Sequence, residues 1–394
     1  MTIPFFDLKR QYESLKTEIE PKVIEVLRSC SYIGGKYVED FEDQMREYLN
    51  TGHVVSCANG TDAIMLALRA LNIGAGDEVI TTPFTFFATA EAIAAVGAVP
   101  VFTDVLETDF NIDPSLIEEK ITSKTKAVLP VHLFGCPCNM DEINSIAFKH
   151  DLHVIEDAAQ AVGAEYNGRM IGRSDNPAAF SFYPAKNLGA FGDAGMVTTN
   201  NEETATILRA IRNHGMAKNG AKARELLFGE RNGSVLEDNT EAFYDPNKYY
   251  NYLIAYNSRM DAIQAAVLCV KLKYLDMYNN RRKEIAELYD SGLKDFVTIP
   301  PKPENSKSCY HQYVIRTEKK KELCDHLSKK GIGTGAFYPV PLHLQKAFNY
   351  LGYREGDKPV SERLSRETVC LPIFPELTGK EIEYVISEVR DFFE

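Results

Sequence analysis

The residue that most invites chemistry is a lysine placed just past a strand. In Ser181-Phe182-Tyr183-Pro184-Ala185-Lys186-Asn187-Leu188-Gly189 a β-rich run ends at Phe182, Pro184 breaks it, and Lys186 follows in the loop. Loops at the carboxyl ends of parallel strands are where α/β sheets bind ligands. An amine there forms an imine with an aldehyde if it is partly neutral, and burial or nearby cations lower its pKa from about 10.4. By itself, such a lysine reads as a surface cation.

Three other segments change that reading. Val154-Ile155-Glu156-Asp157-Ala158-Ala159-Gln160 is an apolar strand ending in acids. From the strand end, the Asp157 carboxylate can keep a pyridine nitrogen protonated, so that the ring withdraws electrons from a substrate carbanion. Gln160 is placed to bond a phenolic oxygen on the same ring. The alternative for Asp157 is a helix N-cap for the Ala-rich residues that follow. In Ser56-Cys57-Ala58-Asn59-Gly60-Thr61-Asp62-Ala63, Gly60 permits a tight turn into a helix beginning near Thr61. Its free N–H groups and the Thr61 hydroxyl make an anion cradle, to which Ser181 could add a contact. An ordinary capped helix is the competing reading. Phe86, in Thr82-Pro83-Phe84-Thr85-Phe86-Phe87, follows a strand and is either a ring stacked on the ligand or plain core.

These residues need a sheet to hold them. Short β-rich runs lie near 53–57, 78–82, 99–103, 126–131, 152–156, 178–182 and 194–199, mostly separated by helical patterns, which predicts an α/β unit with a mostly parallel seven-stranded sheet. Two helical faces precede it, one through Tyr12, Leu15, Ile19, Val23 and Val26 and the other through Val38, Phe41, Met45 and Leu49. After a helix at 202–213 comes a polar, Tyr- and Asn-rich stretch at 217–252, read as a long loop. A long helix at 259–290 leads into alternating helices and strands. The expected division is a large unit at 1–255 and a smaller α+β unit at 256–394.

With 394 residues, 44% apolar and 25% charged, the chain reads as a globular protein of two or three packed units. A net charge of −12 argues against a nucleic-acid partner, and the runs Lys319–Lys321 and Lys329-Lys330 read as solvated helix faces. No stretch approaches the ~20 apolar residues of a membrane span, the N-terminus lacks a signal-peptide pattern, and the eight scattered cysteines suit reduced thiols, so a cytoplasmic location is expected. Gly189, Gly192 and Gly195 have the spacing of a dinucleotide fingerprint but lead into a strand, not a helix. His132, Cys136 and Cys138 lack a second ligand pair with zinc spacing, so no metal is expected.

In order and spacing, Asn59-Gly60-Thr61-Asp62-Ala63, Glu156-Asp157-Ala158-Ala159-Gln160, Ser181-Phe182-Tyr183-Pro184-Ala185-Lys186, Tyr256-Asn257-Ser258-Arg259-Met260 and Tyr338-Pro339-Val340-Pro341-Leu342-His343-Leu344-Gln345 resemble the sugar aminotransferases of the DegT/DnrJ/EryC1/StrS family. The similarity runs from Asp7-Leu8 to Leu371-Pro372-Ile373-Phe374-Pro375. It implies the aspartate-aminotransferase fold (pyridoxal-phosphate fold type I) and pyridoxal 5'-phosphate as cofactor. By resemblance Lys186 carries the cofactor as an imine and shuttles protons, and Asp157 pairs with the pyridinium. Gln160 contacts the phenolic oxygen, Phe86 stacks on the ring, and Gly60, Thr61 and Ser181 bind the phosphate. Asn257 reaches that phosphate from the neighbouring subunit of a homodimer, and His311 and His343 line a sugar-nucleotide pocket. The implied reaction transfers an amino group from L-glutamate to a nucleotide-linked keto-sugar, in amino-sugar biosynthesis for lipopolysaccharide, O-antigen or related glycans.

Within the family, sugar dehydratases are the rival, but those carry histidine at the position of Lys186. A non-catalytic sugar-nucleotide-binding regulator is the rival from another class. The stretch Asn187–Asp193 resembles members that aminate C-3 more than those that aminate C-4, and a 3-keto sugar linked to UDP or dTDP is the expected substrate. Lys218, Lys222, Arg224 and Arg231 are further candidates for the nucleotide diphosphate, or are simply solvated.

Overall fold

The computed structural model describes residues 1–229 and 249–394. Among these, the centre is a seven-stranded sheet. It is built from β1 (His53–Cys57), β2 (Glu78–Thr81), β3 (Val99–Phe102), β4 (Thr125–Leu129) and the paired short segments β5 (His153–Val154) and β6 (Glu156–Asp157). A hairpin, β7 (Glu165–Tyr166) and β8 (Arg169–Met170), lies outside it, and β9 (Ala178–Ser181) and β10 (Gly195–Thr199) complete it. β5 and β6 form one line of chain interrupted at Ile155, whose N–H still reaches Val128 O at 3.0 Å. The order across the sheet is β3-β2-β4-β5/β6-β9-β10-β1, with every pairing parallel except the two made by β10. All seven expected β-rich runs are strands of this sheet.

The runs are apolar because both faces are covered. Val55, Val79, Leu129, Ala179 and Val197 pack on the helices Gly60–Ala70, Ala88–Ala95 and Glu202–Ile211. Val54, Ala178, Phe180 and Met196 pack on Lys36–Leu49 and Ala262–Leu272. Each fully buried Val, Leu, Phe or Met of this kind contributes about 1.5–3 kcal/mol. The smaller unit closes around Ile285, Tyr289, Leu323, Leu327, Ile382 and Val385 from three helices, together with Ile3 from the N-terminus. β11 (Ser306–Lys307) extends the β7–β8 hairpin, and β12 (Tyr313–Arg316) pairs antiparallel with β13 (Thr368–Leu371). Among the described residues no helix is long and apolar enough to cross a membrane.

Met260, Ala265, Leu268, Leu272 and Leu275 pack in the same core as Val54 and Phe180. Some expectations need correcting. The single helix expected at 259–290 is two, Ala262–Leu272 and Leu275–Leu293, broken at Lys273-Tyr274. The stretch 217–252 is not wholly loop, because Ala217–Phe228 is helical and ends at Gly229 with φ +69°. That helix buries Gly220, Ala221 and Ala223, and small residues leave no apolar stripe to read. Residues 230–248, with Arg231, lie outside the described residues.

Candidate active site

The chain leaves the sheet at the end of β9 and returns at the start of β10. Phe182 N–H donates to Ala194 O and Ala190 N–H to Phe182 O, each at 2.8 Å, so the excursion carrying Lys186 leaves from and returns to the same strand ends. Lys186 N–H closes a turn onto Tyr183 O at 2.8 Å. Asn187 fastens the loop to the helix Leu275–Leu293 and to the small unit: its Nδ2 donates to Asn279 Oδ1 and Cys309 O, both at 2.8 Å. The buried Lys271 ammonium donates to Gly189 O. Burial lowers the Lys186 amine to about 8, against the opposing charges of Asp157 and Cys309. An amine in that range is the one an aldehyde requires.

Asp157 sits at the end of β6, buried, with Oδ2 accepting from Thr89 Oγ1 at 2.7 Å and Oδ1 from Ala159 N–H at 3.1 Å. A turn follows and not a helix, so the N-cap reading does not hold. Burial raises its pKa, and no ion pair involves it among the described residues. A buried carboxylate with a hydroxyl and an amide but no cation has room for one, and a pyridinium N–H fits that need. Thr89, from the helix Ala88–Ala95, was not singled out by the sequence; its only local signal is its place three residues after Phe86.

The anion cradle is built where β1 turns into the helix Gly60–Ala70, one residue earlier than expected. Asn59 caps it by accepting from Asp62 N–H at 2.8 Å. A Cβ on Gly60 would lie 2.6 Å from Ser181 Cβ, and one on Gly195 would lie 2.3 Å from Asn59 O. The two glycines therefore let β9, β10 and the helix start close onto each other, bringing Gly60, Thr61 and Ser181 together. Gly189 has the same kind of cause, since its Cβ would meet Pro184 O at 2.2 Å. Close packing thus accounts for two of the three glycines that mimic a dinucleotide fingerprint.

Phe86 is 59% exposed, with its ring 6.3 Å from that of Tyr338, so it is not core. Gln160 is buried; its Oε1 accepts from Phe134 N–H at 2.7 Å and its Nε2 donates to Tyr338 Oη at 3.0 Å. His311 is buried 3.1 Å from Asn187 Oδ1 through Nδ1. Burial, then the charges of Lys186 and Arg282, hold it well below its ordinary pKa, so the ring is neutral. His343 is enclosed, with Nε2 3.0 Å from Glu362 Oε1, which also accepts from Lys358 N–H. Its Nδ1 is buried with no hydrogen-bond partner among the described residues. Asn257 is exposed, next to Ser258, whose Oγ accepts from Ala58 N–H at 3.3 Å beside the cradle. Lys218 and Lys222 are exposed on the helix Ala217–Phe228, and Arg224 donates to Tyr252 O at 3.1 Å. His132 accepts Cys138 N–H on Nδ1 at 3.0 Å, which leaves its proton on Nε2, 3.0 Å from Glu156.

The lysine, the acid and the cradle thus meet at one end of the strands, and their donor set fits a phosphorylated pyridine aldehyde. A model of the DegT/DnrJ/EryC1/StrS aminotransferase family matches residues 13–390. The chain is 43% identical to a Geobacillus stearothermophilus protein named pleiotropic regulatory protein, over all of this chain and 99% of the relative. It is 41% identical to a Streptomyces venezuelae dTDP-3-amino-3,4,6-trideoxy-alpha-D-glucose transaminase, over 100% of this chain and 96% of the relative. The solved structure of S. venezuelae DesV in complex with a ketimine intermediate matches with a TM-score of 0.91 at 40% identity, covering 100% of this chain and 99% of that one. The architecture is therefore that of fold type I, and the chain belongs to the DegT/DnrJ/EryC1/StrS family of pyridoxal-phosphate-dependent aminotransferases.

Proposed function

We propose that this transaminase moves an amino group from L-glutamate to a ketone of a nucleotide-linked sugar, at C-3 of a UDP- or dTDP-sugar, in the assembly of surface or related glycans. The observation that carries the reading is the Lys186 amine, held near 8 at the strand ends beside the buried Asp157 carboxylate, which makes no ion pair among the described residues. Pyridoxal phosphate, when bound, supplies a carbonyl that links to amines and a pyridinium that withdraws electrons from the neighbouring carbon. With the cofactor in place, Asp157 would keep the proton on the ring nitrogen. The Lys186 amine would act as base toward the α-carbon proton of glutamate and, once protonated, as the acid that delivers that proton to the cofactor carbon. Gly60, Thr61 and Ser181 would hold the phosphate, Phe86 would cover a ring face, and Gln160 would donate to the phenolic oxygen. The name of the S. venezuelae relative supports C-3, as does the Asn187–Asp193 stretch.

We place the active unit as a homodimer in which Asn257 reaches the neighbour's phosphate. Its exposure on its own chain supports this, as does Ile254, 96% exposed three residues earlier. Eight free cysteines support a cytoplasmic location. The intact set of Lys186, Asp157 and the cradle favours the enzyme over a purely regulatory protein.

The test is incubation of the cofactor-loaded protein with glutamate, then with 3-keto and 4-keto nucleotide sugars, locating the new amine by NMR. Glutamate should convert the cofactor to its amine form, and the 3-keto sugar should return it. Lys186→Ala should lose borohydride-trappable cofactor and about 10²–10⁴-fold or more in turnover. Clean C-4 amination would overturn the position alone; no reaction with any nucleotide-linked ketone would overturn the substrate class.

A further inference from the structure

Gln160 is held by two partners from different parts of the chain, and together they fix which way its amide faces. An amide side chain offers one oxygen acceptor and two N–H donors. Phe134 N–H can only donate, and it points at Gln160 Oε1 at 2.7 Å, so the nitrogen must occupy the opposite side. There Tyr338 Oη takes one of its hydrogens at 3.0 Å. The second N–H has no acceptor among the described residues. Tyr338 itself is well anchored. Its ring stacks on Phe134 (6.5 Å, 11° between planes) and meets Phe84 edge-on at 6.2 Å. The segment leading to it is joined to β13 by Gly335 N–H to Cys370 O at 3.0 Å and Cys370 N–H to Gly335 O at 2.8 Å. β13 belongs to the small unit, whereas Gln160 and Phe134 belong to the large one.

We propose that Tyr338 is a positioning residue: acting from the small unit through Gln160, it aims the remaining amide N–H at the phenolic oxygen of the cofactor and so sets the proton affinity of the lysine–cofactor linkage. This rests on the placement of Gln160 given above. The sign follows from the chemistry. A donor to the phenolic oxygen stabilises its anion most when the linkage nitrogen has lost its proton, so a well-aimed donor lowers the linkage pKa and a loosened one raises it. Burial raises the pKa of the Tyr338 phenol, so it stays protonated while the linkage titrates.

The experiment is a spectrophotometric pH titration of the visible absorbance of the reconstituted protein for the parent, Tyr338→Phe, Gln160→Ala and the double variant. Tyr→Phe removes one oxygen, and a melting curve reports whether the fold is retained. A net hydrogen bond of about 0.5–1.5 kcal/mol corresponds to a roughly two- to tenfold change in proton affinity. We expect Gln160→Ala to raise the midpoint by up to about tenfold in affinity, Tyr338→Phe to raise it by less, and the double variant to match Gln160→Ala. An unmoved midpoint in Tyr338→Phe, or a Tyr338 effect that persists in full without Gln160, overturns the proposal and leaves the placement of Gln160 standing. An unmoved midpoint in Gln160→Ala overturns that placement, and the proposal with it.

Discussion

Lys186 works in the range that its surroundings allow. Burial depresses its amine to about 8, and because a base reacts with an aldehyde only when neutral, the reactive fraction grows as pH rises through that value. The rate at which the cofactor-free protein takes up pyridoxal phosphate should therefore rise with pH and be half-maximal near 8. Stopped-flow absorbance over a pH series measures it, and a midpoint near the unperturbed lysine value of about 10.4 would mean a solvated amine. At this scale the sequence was informative where one side chain's role depends on its neighbours in the chain. Lys186 after Pro184, Asp157 at the end of an apolar run and Gly60 before a helix all announce themselves locally. Thr89 and Tyr338 do not, because the bonds that give them meaning join residues 68 and 178 positions apart. His343 is bound through Nε2 to Glu362, 19 positions along the chain, a pairing its motif does not show.

Among the elements, the contact of β10 with the start of the helix Gly60–Ala70 makes the cradle. Gly195→Ala would press a methyl onto Asn59 O, a backbone atom that cannot swing aside. Overpacking of this kind costs about 1–3 kcal/mol, and here the strain falls on the phosphate contacts. The variant should melt lower and bind pyridoxal phosphate at least several-fold more weakly, as measured by calorimetry and absorbance titration. Lowered melting with unchanged cofactor affinity would separate the glycine from the cradle. The strands were readable because a sheet covered on both faces needs continuous apolar runs. The helix Ala217–Phe228 was not, because it packs through Gly220, Ala221 and Ala223. The break at Lys273-Tyr274 was hidden for a different reason, since both flanking helices keep buried apolar residues right up to it.

For the whole molecule, the placement of Asn257 decides whether one chain suffices. If its side chain serves the neighbour's phosphate, Lys186→Ala and Asn257→Asp subunits should complement each other. Random reassortment makes half of the dimers mixed, each with one intact site, or about a quarter of the parental activity. Denaturation and refolding of the two inactive variants together, followed by assay, measures this; no recovery would place Asn257 in its own chain's site.

The reversed strand β10 also carries a kinetic meaning. Its pairing with β9 closes only the segment 182–194, whereas its pairing with β1, which seats Gly195 against the cradle, closes 58–194. Loop-closure entropy grows as (3/2)RT ln n, so the second closure is steeper by about 2 kcal/mol. The lysine arm can form early as a local hairpin, and the phosphate cradle must wait for the long closure. A refolding chain should thus gain strand ellipticity before it gains the visible absorbance of bound cofactor, and the opposite order would contradict the scheme. Pyridoxal phosphate is then a clock for the molecule's own assembly: it is captured only once β1 and β10, far apart in the chain, have met.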